Sequence, residues 1–163
     1  MKDMTPSNNR LRQRTAHCLA IWFGAGLLRP APGTWGSLSA LPPAALIAWL
    51  LGWPGLLAGT LIILAVGLWA SALYMRDTGR HDPKEVVIDE VAGQWLALLP
   101  VATYWELYPA AFLFFRFFDI AKPWPASWAD RDLPGSLGVM TDDIFAGGYS
   151  LLACLLLVLI IGY

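Results

Sequence analysis

Four polar islands in an otherwise apolar chain carry most of the side chains able to do chemistry. Asp89 and Glu90 stand side by side at the head of one uncharged run, and Asp142 and Asp143 stand at the head of the last. Asp119 lies at the foot of a third apolar segment, between Arg116 and Lys122. Carboxylates grouped in this way suit a hard cation such as magnesium, which takes one or two of them and completes its shell with water and substrate phosphate. Arg116, one helical turn before Asp119, offers a planar two-point donor to phosphate, and Lys122 adds a point charge. The fourth island, Pro30-Ala-Pro-Gly-Thr-Trp-Gly-Ser37, sets glycines and the hydroxyls of Thr34 and Ser37 at the entry to a long helix, where free N–H groups favour an anion. Any one of the acids is explained by helix capping or a local ion pair. Three separated acid sites on one face of the molecule imply a shared ligand.

The elements that hold these islands are membrane helices. Hydrophobic residues make up 57% of the chain and charged residues 14%, against about 25% charged in an ordinary soluble domain. Acids at the centre of a bilayer would cost roughly 2.5 to 3.5 kcal/mol each, so they are expected at the interface. The net charge of −1 gives no basic face for nucleic acid. Cys18 and Cys154, without metal-type spacing, read as small buried apolar residues.

Charge-free stretches predict the topology. Pro30 to Met75 contains no charged residue, is more than twice the roughly 20 residues of one span, and is broken by Gly52-Trp53-Pro54-Gly55, which gives a helical hairpin. Val91 to Phe115 is interrupted by Pro100, Glu106 and Pro109, and a second, shorter hairpin there keeps all the acid islands on one side. That arrangement also leaves Glu106 as the sole charge on the far side, with every Lys and Arg on the side of the N-terminus, as the positive-inside rule requires of a cytoplasmic N-terminus. With a last span from Ile144 to Tyr163, the fold class is all-α, with about five membrane helices and the polar site at their cytoplasmic ends. Arg10 to Leu28 is expected to lie in the interface as an amphipathic helix, with residues 1–9 disordered.

Taken together, the motifs Pro30–Ser37, Val87-Ile-Asp-Glu-Val-Ala-Gly93, Phe115-Arg-Phe-Phe-Asp-Ile-Ala-Lys-Pro-Trp-Pro125 and Gly138-Val-Met-Thr-Asp-Asp-Ile-Phe-Ala-Gly147 resemble, in order and spacing, the bacterial phosphatidylglycerophosphatase A family. The resemblance runs from about residue 24 to 148 and makes 1–163 a single domain. It implies a magnesium-dependent hydrolase of the inner membrane that converts phosphatidylglycerophosphate to phosphatidylglycerol. It further implies an acid site of Asp89, Glu90, Asp119, Asp142 and Asp143, which hold Mg2+, with Thr34, Arg116 and Lys122 on the phosphate side. Attack by water is favoured, since His17 and His81 do not form the paired set of phosphohistidine enzymes; an aspartyl-phosphate is the competing route. Two other classes stay open: a non-catalytic cation carrier or assembly subunit, and a CDP-alcohol phosphotransferase, whose Asp-Gly-x-x-Ala-Arg signature is missing.

Overall fold

In the computed structural model, which describes residues 6–162, the elements run α1 (Pro6–Ala20), a 3-10 turn (Trp22–Leu27), α2 (Pro32–Ser39), α3 (Leu41–Thr78), α4 (Ile88–Leu98), α5 (Tyr108–Ala121), α6 (Ala126–Asp132) and α7 (Gly135–Ile161). Short 3-10 turns join α4 to α5, and no strand occurs among the described residues.

Helix α3 is folded back on itself. Gly52 takes φ 66° and ψ −168°, a conformation that only glycine adopts readily, and Pro54 follows in the first turn of the returning limb. A Cβ placed on Gly59 would lie 3.6 Å from Ile47 Cδ1. Twelve residues along an unbroken helix would separate those positions by about 18 Å. The expected hairpin is therefore present.

The axis of the molecule is α4, nearly all of whose residues are buried. The returning limb of α3 runs antiparallel to it, with Gly59 against Trp95 and Gly67 beside Ile88. Trp95 Nε1 donates to Ala40 O at 2.9 Å and ties α4 to the start of α3. On the other flank α4 packs most extensively against α7. A Cβ on Gly147 would meet Gly93 O at 2.6 Å, and one on Gly93 would meet Asp143 O at 2.6 Å, so only paired glycines let the two backbones approach this closely.

Several expectations are corrected. Helix α1 already starts at Pro6, so residues 6–9 are helical, while 1–5 lie outside the described residues. It is also more than an interfacial anchor, because Ala16 and Ala20 are buried in a cluster with Ala70 and Leu73 of α3. The Pro/Gly island is itself helical from Pro32, where a proline fits the first turn without losing a hydrogen bond. Asp142 and Asp143 do not open a helix, since α7 starts at Gly135 and places them two turns inside it. Cys154 is buried, but Cys18 is exposed.

Two helical stretches, Pro32–Thr78 and Gly135–Ile161, are long and apolar enough to cross a membrane. Leu61, Ile62, Leu156, Leu159 and Ile160 on these helices are exposed, an apolar surface of the kind that marks a membrane or protein interface. At 11 and 14 residues, α4 and α5 are only about 17 and 21 Å long, short of the roughly 30 Å hydrocarbon core. The count of five full crossings therefore does not follow from helix length.

Candidate active site

Asp89 and Glu90 occupy the first turn of α4, where negative charge suits the helix dipole. Asp143 comes up beside them because Asp89 and Asp143 each stand four residues, about one turn, before the glycine of the α4–α7 contact. One carboxylate oxygen from each of Asp89, Glu90 and Asp143 lies within 4.8 Å of the other two. Asp89 and Asp143 are buried, and Glu90 Oε2 is buried with no hydrogen-bond partner. Gly33 of α2 abuts Glu90, and a side chain there would strike Glu90 Oε1. Among the described residues none of the three acids forms an ion pair, and the nearest compensation is the longer-range field of Arg116 on Glu90. Uncompensated charge is costly inside a protein, and a set of oxygen donors converging on one point fits a hard divalent cation.

The other two expected acids each carry a cation of their own. Arg116 Nη1 lies 2.6 Å from Asp119 Oδ2, one turn away on α5, and also donates to Ser37 Oγ at 3.3 Å. Its Nε is buried without a partner. Lys122 does not pair with Asp119. The chain leaves α5 through a left-handed Lys122, φ 42° and ψ 58°, which swings the side chain across to Asp142 Oδ2 at 2.7 Å and Asp130 Oδ1 at 2.6 Å. Burial opposes the charge on Lys122, but the hydrogen bonds to Asp130 and Asp142 outweigh it and lift its pKa above the ordinary lysine range. The ammonium stays protonated throughout the physiological range.

These groups line one cavity of about 380 Å³, closed on one side by Pro30, Pro32 and Gly33 and on another by Asp130 and Gly138. Asp89, Glu90, Arg116, Asp119, Lys122, Asp142 and Asp143 all face it; Thr34 does not. On α2 the hydroxyl nearest the chemistry is Ser37, which donates to Gly33 O at 2.8 Å and accepts from Arg116. Asp130, on the short α6, is a charged member that the sequence did not single out; Asp82 and Lys84, in the loop before α4, also line the cavity. The signal of Asp130 was weak, one of two acids flanking Arg131 in a short segment between two prolines.

Residues 18–158 match the sequence profile of the family described as Phosphatidylglycerophosphatase A. The chain belongs to that family. Phosphatidylglycerophosphatase A of Escherichia coli K12 is 39% identical over 149 residues, which cover 90% of this chain and 84% of the relative. The phosphatidylglycerophosphatase A of Haemophilus influenzae is 38% identical over 137 residues, 83% of this chain and 84% of its own. A Bacteroides thetaiotaomicron protein provisionally named a phosphatidylinositol-3-phosphatase is also 38% identical, over 78% of this chain and 84% of its own length. No solved structure matches. All four polar motifs fall inside the matched span, and three of them supply Asp89, Glu90, Arg116, Asp119, Lys122, Asp142 and Asp143 of the cavity.

Proposed function

We infer that this chain is a phosphoric monoester hydrolase that removes the terminal phosphate of phosphatidylglycerophosphate to leave phosphatidylglycerol. The observation that carries this reading is the trio Asp89, Glu90 and Asp143, outside any ion pair and within 4.8 Å, sharing one cavity with Arg116 and Lys122 in a member of the phosphatidylglycerophosphatase A family. Asp89, Glu90 and Asp143 would hold Mg2+, which supplies Lewis-acid polarisation of the phosphoryl group and activates a water for in-line attack. The chain's own part is positioning and charge. Arg116, oriented by Asp119 and Ser37, presents its guanidinium to the phosphate oxygens from the cavity wall, and Lys122 balances charge on the other wall. The short α2, abutting Glu90 through Gly33, closes the cavity on the side of the acids.

Purified protein in neutral detergent is expected to release phosphate from phosphatidylglycerophosphate, to stop in excess chelator and to recover on adding magnesium. Absence of release from this lipid, with release from phosphatidylinositol 3-phosphate instead, would move the chain to the activity for which its Bacteroides relative is named.

In the bilayer, the reading favoured is an inner-membrane protein with its site facing the cytoplasm, two crossings by the α3 hairpin, one by α7, and α4 with α5 as a shorter hairpin. Trp49, Trp53 and Trp105 are exposed at the turns remote from the acids, while Trp35, Trp124 and Trp128 are exposed at the acid end, which supports two aromatic belts. A cysteine placed at Glu106 should react with an impermeant reagent from the periplasm, and ones at Lys84 and Arg131 only after the membrane is opened. Cytoplasmic labelling at Glu106 would exclude the α4–α5 hairpin as a crossing.

A further inference from the structure

The lipid inferred above carries two phosphates: the monoester at its tip and the phosphodiester that joins the headgroup glycerol to the diacylglycerol. The acid cavity accounts for the first. A second cavity of about 600 Å³ opens beside it, and the two share Pro30, Pro32, Asp82 and Lys84 as walls. Three cations line this groove, Arg29, Arg80 and Lys84, against two acids, Asp82 and Glu85. Arg80 is already paired with Glu85. Arg29 and Lys84 form no ion pair among the described residues, unlike Arg116 and Lys122 of the acid cavity.

The groove is built by two segments locked together. Gly26 packs directly on the Glu85 carbonyl, and Val87 N donates to Ala20 O at 2.9 Å, so the turn before α2 and the loop before α4 hold a fixed separation. Leu27 and Leu28, immediately before Arg29, are exposed apolar side chains, as expected of a turn seated at the lipid interface. A phosphodiester sits at that depth, between acyl chains and headgroup.

We propose that this groove is the subsite for the glycerophosphodiester of the lipid, with Arg29 and Lys84 contacting its anionic oxygens while the terminal phosphate reaches the acids. The subsite rests on the functional reading above and explains how a headgroup with two phosphates is placed with the correct one over the metal site.

Phosphatidylglycerol keeps the diester and lacks the monoester, whereas inorganic phosphate has the reverse character. Their binding to the full chain in neutral detergent, followed by titration calorimetry, separates the two sites without turnover. The Arg29→Ala/Lys84→Ala double variant should bind phosphatidylglycerol at least about tenfold more weakly and phosphate within about twofold of wild type. Arg116→Ala should show the opposite pattern. A control that removes the same charge elsewhere, Arg10→Ala/Arg14→Ala, should alter neither. Unchanged phosphatidylglycerol binding in the double variant, an equal loss in the control, or no binding by wild type would each overturn the subsite. Failure of wild type to release phosphate from phosphatidylglycerophosphate would instead remove the functional reading, and the two failures are read in different experiments.

Discussion

Asp143→Asn is expected to lower kcat/KM for phosphate release by at least about a hundredfold, and Asp89→Asn by a similar factor, the scale on which single electrostatic groups act at a reacting phosphate. Each substitution keeps the shape of the side chain but removes one anionic oxygen donor from the converging trio. Binding of Mn2+ as a magnesium substitute, followed by electron paramagnetic resonance, should weaken in parallel. Asp142→Asn provides the contrast. Its carboxylate is committed to Lys122 and lies outside the converging trio, so Mn2+ binding should stay near wild type while substrate use falls. If Asp89→Asn and Asp143→Asn both retain full activity and Mn2+ affinity, these acids only cap and solvate helix ends. If Asp142→Asn loses Mn2+ to the same degree as Asp143→Asn, the division between trio and ion pairs is wrong.

Gly147→Val is the second change with a large expected effect, and it touches no charged group. Its side chain would be driven into the Gly93 backbone, where even a Cβ is 2.6 Å from the carbonyl oxygen. Overpacking of this kind costs typically 1 to 3 kcal/mol, about the scale of many single core changes. Relief by separating α4 from α7 would also spread Asp89 from Asp143, so activity should fall further than stability alone explains. Gly148→Ala is the matched control, because a Cβ there meets nothing within 4 Å and alanine is the better helix former by roughly 1 kcal/mol. Thermal unfolding and turnover in the same detergent compare the two. Equal behaviour of both variants would show that the glycine contact does not set the acid geometry.

What was legible in the sequence was whatever the bilayer makes expensive. A charged residue beside a long apolar run has few places to go, so the acid islands and the turn at Gly52 stood out from composition and glycine chemistry alone. Adjacent residues were harder to separate. Asp142 and Asp143 looked like one unit, yet neighbours on a helix point about 100° apart, and one reaches the trio while the other takes Lys122. The partner of Lys122 was hidden for a different reason. Spacing favours Asp119, three residues back, and only the left-handed turn at Lys122 redirects the side chain to α6 and α7. Ser37 over Thr34 is likewise a question of which face α2 presents, which a segment read as a loop could not decide. The start of α7 at Gly135 was missed because the apolar run was counted only from Asp142 and Asp143 onward, which left out the seven uncharged helical residues before Asp142.

The spacing of Asp89 and Asp143 is counted off along two helices from a single crossing, and this fixes where the chain can change length. A residue inserted between Asp89 and Gly93, or between Asp143 and Gly147, would rotate an acid by about 100° and carry it away from its partners. An insertion in the loop at 79–83, or in the turns at 99–107, adds chain without altering either count. The carboxylate spacing is thus independent of the length of the loop at 79–83, and that loop, on the headgroup side in the reading proposed above, can be lengthened or recut to admit a different phosphorylated lipid while the two helical counts stay the same.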